Sequence, residues 1–201
     1  MDLELAALSA HERYKLLIGL VIPRPIAWVS TWSESGVANC APFSFFNVIS
    51  ESPPLCILSF NPRSDGAMKH TLKNIRRTSE FVVNLADEGT AKAMHLTGTE
   101  IPEADSEFTK FGLTPVPAKL VKHPRIAEAA ASFECRLERR INFGPEREMV
   151  VGEILLVHAR DGIIDPTTKR ISEERYRPVG RLFANRYCTT RQRFDLPGDL
   201  P

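Results

Sequence analysis

The feature that most constrains this fold is a pattern of short apolar runs bounded by turn residues. The clearest run, residues 25–32, is rich in β-branched and aromatic side chains and predicts a strand. Residues 33–36, which end in Gly36, then turn the chain, and residues 37–41 return it as a second strand. The pattern therefore predicts a β-hairpin near the start of the sequence.

Further strands are expected along the chain. Residues 55–60 form a nearly continuous apolar run after two prolines, and a run of that length favours a buried strand over a helix. Residues 81–85 predict another strand, and residues 131–141 and 149–159 predict two more.

Two segments have the periodicity of short helices. In residues 65–78, Met68, Leu72 and Ile75 recur at spacings of four and three, with Ser64 or Asp65 as the expected cap. A second short helix is expected at residues 88–96. At least six strands against two or three short helices favour a mostly β fold, a β-barrel with helical decoration, over a doubly wound α/β sheet.

Composition indicates an ordinary globular protein. The 201 residues predict a single domain, with a loose tail from Pro197 to Pro201. A net charge of +1 gives no general attraction to nucleic acid or to an anionic membrane. The sequence shows no secretory signal pattern and no long apolar stretch, so we expect a cytoplasmic protein.

Several common catalytic motifs are absent from the sequence. The eleven glycines include no G-x-G pair, which argues against a Rossmann fingerprint and a P-loop. The five histidines have no metal-binding spacing, so no metal is expected, and there is no G-x-S-x-G elbow. Hydrolysis by side chains is therefore disfavoured.

Two segments are candidates for a ligand site. Residues 41–47 place three phenylalanines around Ser44 and before Asn47, which suits either a core with a turn or the walls and edge of a flat heteroaromatic ligand. Residues 59–71 run from a strand end through a polar loop into a helix N-terminus, where backbone N–H groups favour an anion. Arg63 and Lys69 could add positive charge there, although a capped helix with a solvated basic face explains the same residues.

Taken together, these segments resemble the flavin-reductase-like family of FMN-binding split barrels, in particular its small reductase-like proteins. The matching stretches are PRPIAWVST (23–31), GVANCAPFSFFN (36–47), PP (53–54), KHTLKNI (69–75) and EFVVN (80–84). Their order and spacing agree over about residues 14–160, with a weaker match at residues 178–182 and Tyr187. The resemblance therefore implies one domain with its core at about 14–160 and a C-terminal extension at 161–201. One departure is His70, where many relatives carry an acidic residue.

The resemblance implies a Greek-key-like FMN-binding split barrel and a set of cofactor-binding residues. Ser30 and Thr31 would lie beside the flavin, residues 42–47 along its ring, and Ser59, Arg63, Lys69 and Thr71 around its phosphate. The full set is Trp28, Ser30, Thr31, Pro42, Phe43, Ser44, Phe45, Phe46, Asn47, Ser59, Arg63, Lys69, Thr71, Gly180, Arg181 and Tyr187.

The resemblance also implies chemistry and partners. The expected activity is NAD(P)H-dependent flavin reduction, with hydride passing to flavin N5 and no catalytic side chain, because the cofactor carries the reaction. FMN is the expected cofactor, and FAD could enter a phosphate pocket open at one end. The family implies a homodimer, and a monooxygenase could receive the reduced flavin. The alternatives are an FMN-binding electron carrier and a flavoenzyme with its own substrate.

Overall fold

The computed structural model describes residues 1–144 and 147–196. The strands in chain order are β1 (Ala27–Trp32), β2 (Ala38–Phe43), β3 (Phe46–Glu51), β4 (Pro54–Phe60), β5 (Glu80–Leu85), β6 (Pro115–Val116), β7 (Arg125–Ile126), β8 (Ala131–Gly144), β9 (Arg147–Ala159), β10 (Val179–Arg181) and β11 (Tyr187–Thr189). The helices are α1 (Ala10–Leu20), α2 (His70–Thr78), α3 (Ala91–Leu96) and α4 (Glu107–Phe111), and Leu5–Ala7 form a 3₁₀ turn.

Seven of these strands form one antiparallel sheet in the order β2-β1-β5-β8-β9-β4-β3. The sheet curls so that its two ends meet, where the ring of Phe43 on β2 packs edge-on against Phe60 on β4, 4.7 Å between centroids. Next to this contact, the Ser59 N–H donates to the Phe45 carbonyl at 2.9 Å. The predicted mostly β barrel with helical decoration is confirmed.

Alternation along β1 explains how the barrel acquires two apolar layers. Ala27 and Val29 point to the inner face, while Trp28 points to the outer face beneath α3 and α4. The buried inner cluster comprises Ala27, Val29, Phe46, Cys56, Leu58, Phe60, Leu72, Ile75, Phe81, Val83, Cys135 and Val150. Helix α2 closes this layer with Leu72 and Ile75, as the helical spacing predicted.

The helix boundaries differ from the sequence prediction. Helix α2 begins at His70 and not at residue 65, since Asp65 and Gly66 form a turn: Asp65 Oδ1 accepts from the Ala67 N–H, and Gly66 has a φ of +84°. Neither Ser64 nor Asp65 caps the helix, whose N-cap position is Lys69. Helix α3 likewise begins at Ala91 rather than at residue 88.

Helices α1 and α4 were not predicted. A capping box could have revealed α1, because Ser9 accepts from the Glu12 N–H while the Glu12 carboxylate accepts from the Ser9 N–H. At five residues, α4 is too short for a periodic signal.

The hairpin β10–β11 returns to the start of the barrel. Arg24 and Arg181 exchange two backbone hydrogen bonds of 2.9 and 2.8 Å, and a guanidinium nitrogen of Arg24 donates to the Leu182 carbonyl at 2.8 Å. The predicted loose tail from Pro197 to Pro201 lies outside the described residues. Among the residues described, no helix is long and apolar enough to cross a membrane.

Candidate functional site

A polar cavity lies at the N-terminal end of α2, between the loop at residues 61–69 and the loop at residues 97–101. Its volume is about 40 Å³, which is room for a few water molecules. Arg63, Lys69 and Thr71, three of the predicted phosphate residues, line this cavity. The other lining residues are Asn39, Ala41, Phe43, His70, Thr97, Gly98, Thr99, Glu100, Ile101 and Glu107.

Arg63 is oriented by the first residue of α2. Its Nη1 lies 3.2 Å from Nε2 of His70, and a guanidinium can only donate, so the His70 nitrogen accepts and its ring is neutral. Burial lowers the pKa of His70, and the charge of Arg63 lowers it further. His70 therefore positions Arg63 without adding positive charge to the cavity.

Lys69 already holds an anion that belongs to the protein. Its Nζ donates to Glu100 Oε1 at 2.7 Å, and the Ser64 hydroxyl donates to Glu100 Oε2 at 2.5 Å. The Ser64 N–H points to the same carboxylate, 3.2 Å from Oε1. The hydrogen bonds from Lys69 and then Ser64 lower the pKa of Glu100 to about 2. This donor set, an ammonium, a hydroxyl and a backbone N–H, suits a phosphate as well as a carboxylate.

Thr71 presents a hydroxyl to the cavity from a fully buried position. The Asn39 amide donates to the Thr71 oxygen at 3.0 Å and to the Thr31 oxygen at 3.3 Å, while Asn74 donates to Thr31 at 3.0 Å. Within the described ranges the Thr71 hydrogen has no acceptor, so it is available to a ligand oxygen. Thr31 holds this network in place from the barrel interior.

The segment at residues 42–47 splits into different environments. Phe43 lines the cavity, and Pro42 packs against Gly98 of the opposite loop, where an added Cβ would lie 3.4 Å from the proline ring. Ser44 accepts from the Arg24 side chain at 3.3 Å. Phe45 packs edge-on against Tyr14, Phe46 is buried in the inner cluster and Asn47 is exposed.

Two more of the predicted flavin residues, like Thr31, bond within the protein. Trp28 is completely buried, and its Nε1 donates to the Thr97 hydroxyl at 2.9 Å. Ser30, also completely buried, donates to the Pro124 carbonyl at 2.5 Å. A flavin contact by either side chain would require its neighbours to move. Trp28 nevertheless helps to position one wall of the cavity, because its hydrogen-bond acceptor Thr97 is the first residue of the loop at residues 97–101.

The C-terminal hairpin forms a second polar cluster. Tyr187 OH lies 2.9 Å from Nδ1 of His95, and the Arg181 guanidinium bonds to the same hydroxyl while stacking 4.7 Å from the ring centroid. Gly180 packs against Pro23, where an added Cβ would come within 2.7 Å. His95 belongs to α3, and α3 leads directly into the loop at residues 97–101. Helix α3 therefore connects this polar cluster to one wall of the cavity.

Sequence reasoning missed the loop at residues 97–101, which supplies five lining residues. Its T-G-T-E run after a short helix is a turn signal without any family motif. Glu107 was also missed; burial raises the pKa of this carboxyl, which accepts from the Cys40 N–H at 3.1 Å. In the part of the chain that the structure describes, no group of His, Cys, Asp and Glu could hold a metal ion.

The large curled antiparallel sheet is that of a split barrel of the flavin reductase type. A family model for the flavin reductase like domain matches residues 19–180, and the chain belongs to this family. The resemblance found in the sequence is thereby confirmed. Membership places the chain among flavin-related oxidoreductases.

Known proteins similar to this chain extend over nearly its whole length. An uncharacterized protein of Aquifex aeolicus is 47% identical over 174 residues, which are 87% of this chain and 88% of that protein. The crystal structure of the 2-nitrobenzoate 2-nitroreductase NbaA of Pseudomonas fluorescens is 36% identical, with a TM-score of 0.90 and coverage of 100% of this chain and 98% of that one. Nitrilotriacetate monooxygenase component B of Bacillus cereus is 31% identical, with a TM-score of 0.92 and 98% of each chain covered.

Proposed function

We propose that this protein is an NAD(P)H-dependent flavin reductase that binds FMN with its phosphate in the cavity beside α2. The observation that carries the proposal is that Lys69 and Ser64 hold one carboxylate at a cavity that Arg63 and Thr71 also line. The donors that hold the Glu100 carboxylate are of the kind that hold a phosphate monoester. A bound flavin supplies ring nitrogen N5, which accepts a hydride from a reduced nicotinamide.

The surrounding residues support a position for the flavin ring between the cavity and the cluster of His95, Arg181 and Tyr187. Phe43 and the Pro42–Gly98 contact lie next to the phosphate position and offer apolar surface to one side of a flat ligand. Arg181 can donate to a polar ring edge, while the Tyr187 hydroxyl holds its guanidinium in place. None of these side chains acts as an acid, base or nucleophile in the proposal.

The test is FMN binding by a variant without the phosphate ammonium, compared with a matched control. Lys69→Ala should weaken FMN binding by about 1.5–3 kcal/mol, the range for hydrogen bonds to charged groups. Lys73 lies one turn further along, in α2 and outside the cavity lining, and forms a similar ion pair with Glu103 at 2.8 Å. Lys73→Ala removes this ion pair and should leave FMN binding unchanged.

The titration follows flavin absorbance and fluorescence, and NADH oxidation with added FMN then measures turnover. Equal FMN affinity in wild type and Lys69→Ala would remove Lys69 from the phosphate site. A wild-type protein that neither retains FMN nor changes its spectrum would refute the flavoprotein proposal altogether.

A second candidate is a flavoenzyme that reduces its own organic substrate. The similarity to NbaA, named a 2-nitrobenzoate 2-nitroreductase, favours it at 36% identity over the full chain. The two candidates differ in how the flavin is held: a reductase releases reduced flavin, whereas an enzyme with its own substrate retains it. Fast NADH oxidation with free FMN supports the first, and tight FMN retention with reduction of a nitroaromatic acid supports the second.

We also propose that the protein forms a homodimer and passes reduced flavin to a monooxygenase. Strand β3 ends the described sheet, and its Val48 and Ile49 are each 50% exposed. Tyr14 on α1 packs against Phe45, the residue before this strand. A second copy related by a two-fold axis would cover this apolar edge. The monooxygenase proposal is supported by the Bacillus cereus neighbour, which is named a monooxygenase component B.

A further inference from the structure

The Glu100 carboxylate is bound as an external anion would be. Both of its oxygens are engaged: Oε1 accepts from Lys69 Nζ at 2.7 Å, and Oε2 accepts from the Ser64 hydroxyl at 2.5 Å. The Ser64 N–H lies 3.2 and 3.4 Å from the two oxygens. Ser64 and Lys69 belong to the loop before α2, whereas Glu100 comes from a loop more than 30 residues further along the chain.

Glu100 and a flavin phosphate cannot both accept from the Ser64 hydroxyl, which has a single hydrogen to donate. With Glu100 in place the cavity has a volume of about 40 Å³, which admits a few water molecules. A phosphate placed beside Glu100 would also meet its negative charge, because hydrogen bonds from Lys69 and Ser64 hold the pKa of this carboxyl at about 2 and keep it ionised at neutral pH. A phosphate that binds both Ser64 and Lys69 therefore requires Glu100 to leave.

Glu100 can leave without disturbing the barrel. Its side chain is 29% exposed, and within the described residues its backbone N–H and carbonyl make no hydrogen bonds. The preceding loop residues are fixed independently, since Gly98 and Thr99 donate to the carbonyls of His95 and Leu96, each at 3.1 Å. The described hydrogen bonds of Glu100 are thus those of its carboxylate, to Lys69 and Ser64.

We propose that Glu100 is an internal competitor for the phosphate site: it closes the site in the free protein and moves out when a phosphorylated flavin binds. This inference rests on the proposed function and deepens it. Glu100 sets the affinity for the phosphate end of the ligand alone. It thereby moderates FMN affinity, which suits a protein that has to release its flavin.

The test compares Glu100→Gln with Glu103→Gln, using FMN and riboflavin, the same flavin without its phosphate. Glu100→Gln removes the competing charge and should raise FMN affinity by about tenfold, the effect of losing roughly one charged hydrogen-bonded pair. Riboflavin affinity should not change, because riboflavin has no phosphate to compete with Glu100. Glu103→Gln breaks the ion pair to Lys73 of α2, which lies outside the cavity lining. This control should change the affinity for neither FMN nor riboflavin.

Dissociation constants from flavin fluorescence at fixed ionic strength, with inorganic phosphate as a competitor, give the readout. With FMN held at the dissociation constant of each protein, inorganic phosphate should displace it from Glu100→Gln at a lower concentration than from wild type. Unchanged or weaker FMN binding by Glu100→Gln would refute the role of Glu100 as a competitor and indicate that Glu100 positions Lys69 instead. Equal gains in affinity for FMN and riboflavin would also refute the competitor role. If neither protein binds FMN at all, the proposed function fails and the competitor fails with it.

Discussion

His123 is a buried histidine whose hydrogen bonds fix it in the neutral form. Its side chain is 1% exposed, and its Nδ1 accepts from the Trp32 N–H at 2.8 Å. Its Nε2 lies 2.8 Å from the Thr78 hydroxyl, which itself donates to the Asn74 carbonyl, so Nε2 must carry the hydrogen. Protonation of Nδ1 would break the bond to Trp32 and bury a charge.

The cost of that protonation gives a predicted loss of stability in acid. Burial lowers the pKa of His123 from 6.5 to about 4. Because the folded-state pKa lies below the unfolded one, the unfolded chain takes up the proton first as pH falls. Stability is therefore complete above pH 6.5 and is lost between about pH 6.5 and 4. By linkage, the titration of His123 should lower the free energy of unfolding by about 2 kcal/mol between pH 7 and pH 5, and by about 3 kcal/mol in total at still lower pH.

The assay is the free energy of urea unfolding at pH 7 and pH 5 for wild type and His123→Asn, whose side-chain oxygen can still accept from Trp32. Carboxylate titrations affect both proteins alike and cancel in the difference. We expect wild type to lose about 2 kcal/mol more than His123→Asn over this interval. His11→Asn, which changes an exposed residue of α1, should behave as wild type. Equal losses in wild type and His123→Asn would refute the argument.

Two further predictions concern stability and assembly. Glu134 is completely buried, and its carboxylate accepts from the backbone N–H groups of residues 119, 120 and 121 and bonds to His158. Burial raises its pKa, but the bonds from His158 and this backbone lower it overall. Glu134→Ala should therefore reduce the free energy of urea unfolding by about 3 kcal/mol. Glu138→Ala, at an exposed position, should change it little. Similar losses in the two variants would contradict a stabilising role for the buried Glu134 carboxylate. Ile49→Asp should shift a homodimer to monomer in sedimentation velocity, and a dimer that persists would exclude the β3 edge as its interface.

Local sequence was sufficient to predict most strands. The β1–β2 hairpin follows from one turn ending in Gly36, which has a φ of +77°, and strands β4 and β5 follow from compact apolar runs. These features depend on neighbours within a few residues. The predicted start of α2 was wrong although its cause is also local: the apolar spacing extends back to Met68, but a turn at Asp65 and Gly66 precedes the helix, which begins only at His70.

The composition of the anion site was also predictable in part. A strand end, a polar loop with Arg63 and Lys69, and a helix N-terminus are contiguous in sequence, so their meeting at one cavity needs no long-range information. The same reasoning could not show that Trp28 and Ser30 are completely buried, because burial of both faces of β1 depends on what packs outside the sheet.

Sequence alone thus determined six of the seven strands of the main sheet, the turn of the first hairpin and the basic loop, all of which depend on residues close together in the chain. Tertiary structure alone decided what faces that loop. Glu100 meets Lys69, and His95 meets Tyr187, only because the curled sheet and its C-terminal hairpin bring distant segments together. Such contacts depend on topology and packing rather than on local preference, so no pattern of neighbouring residues encodes them.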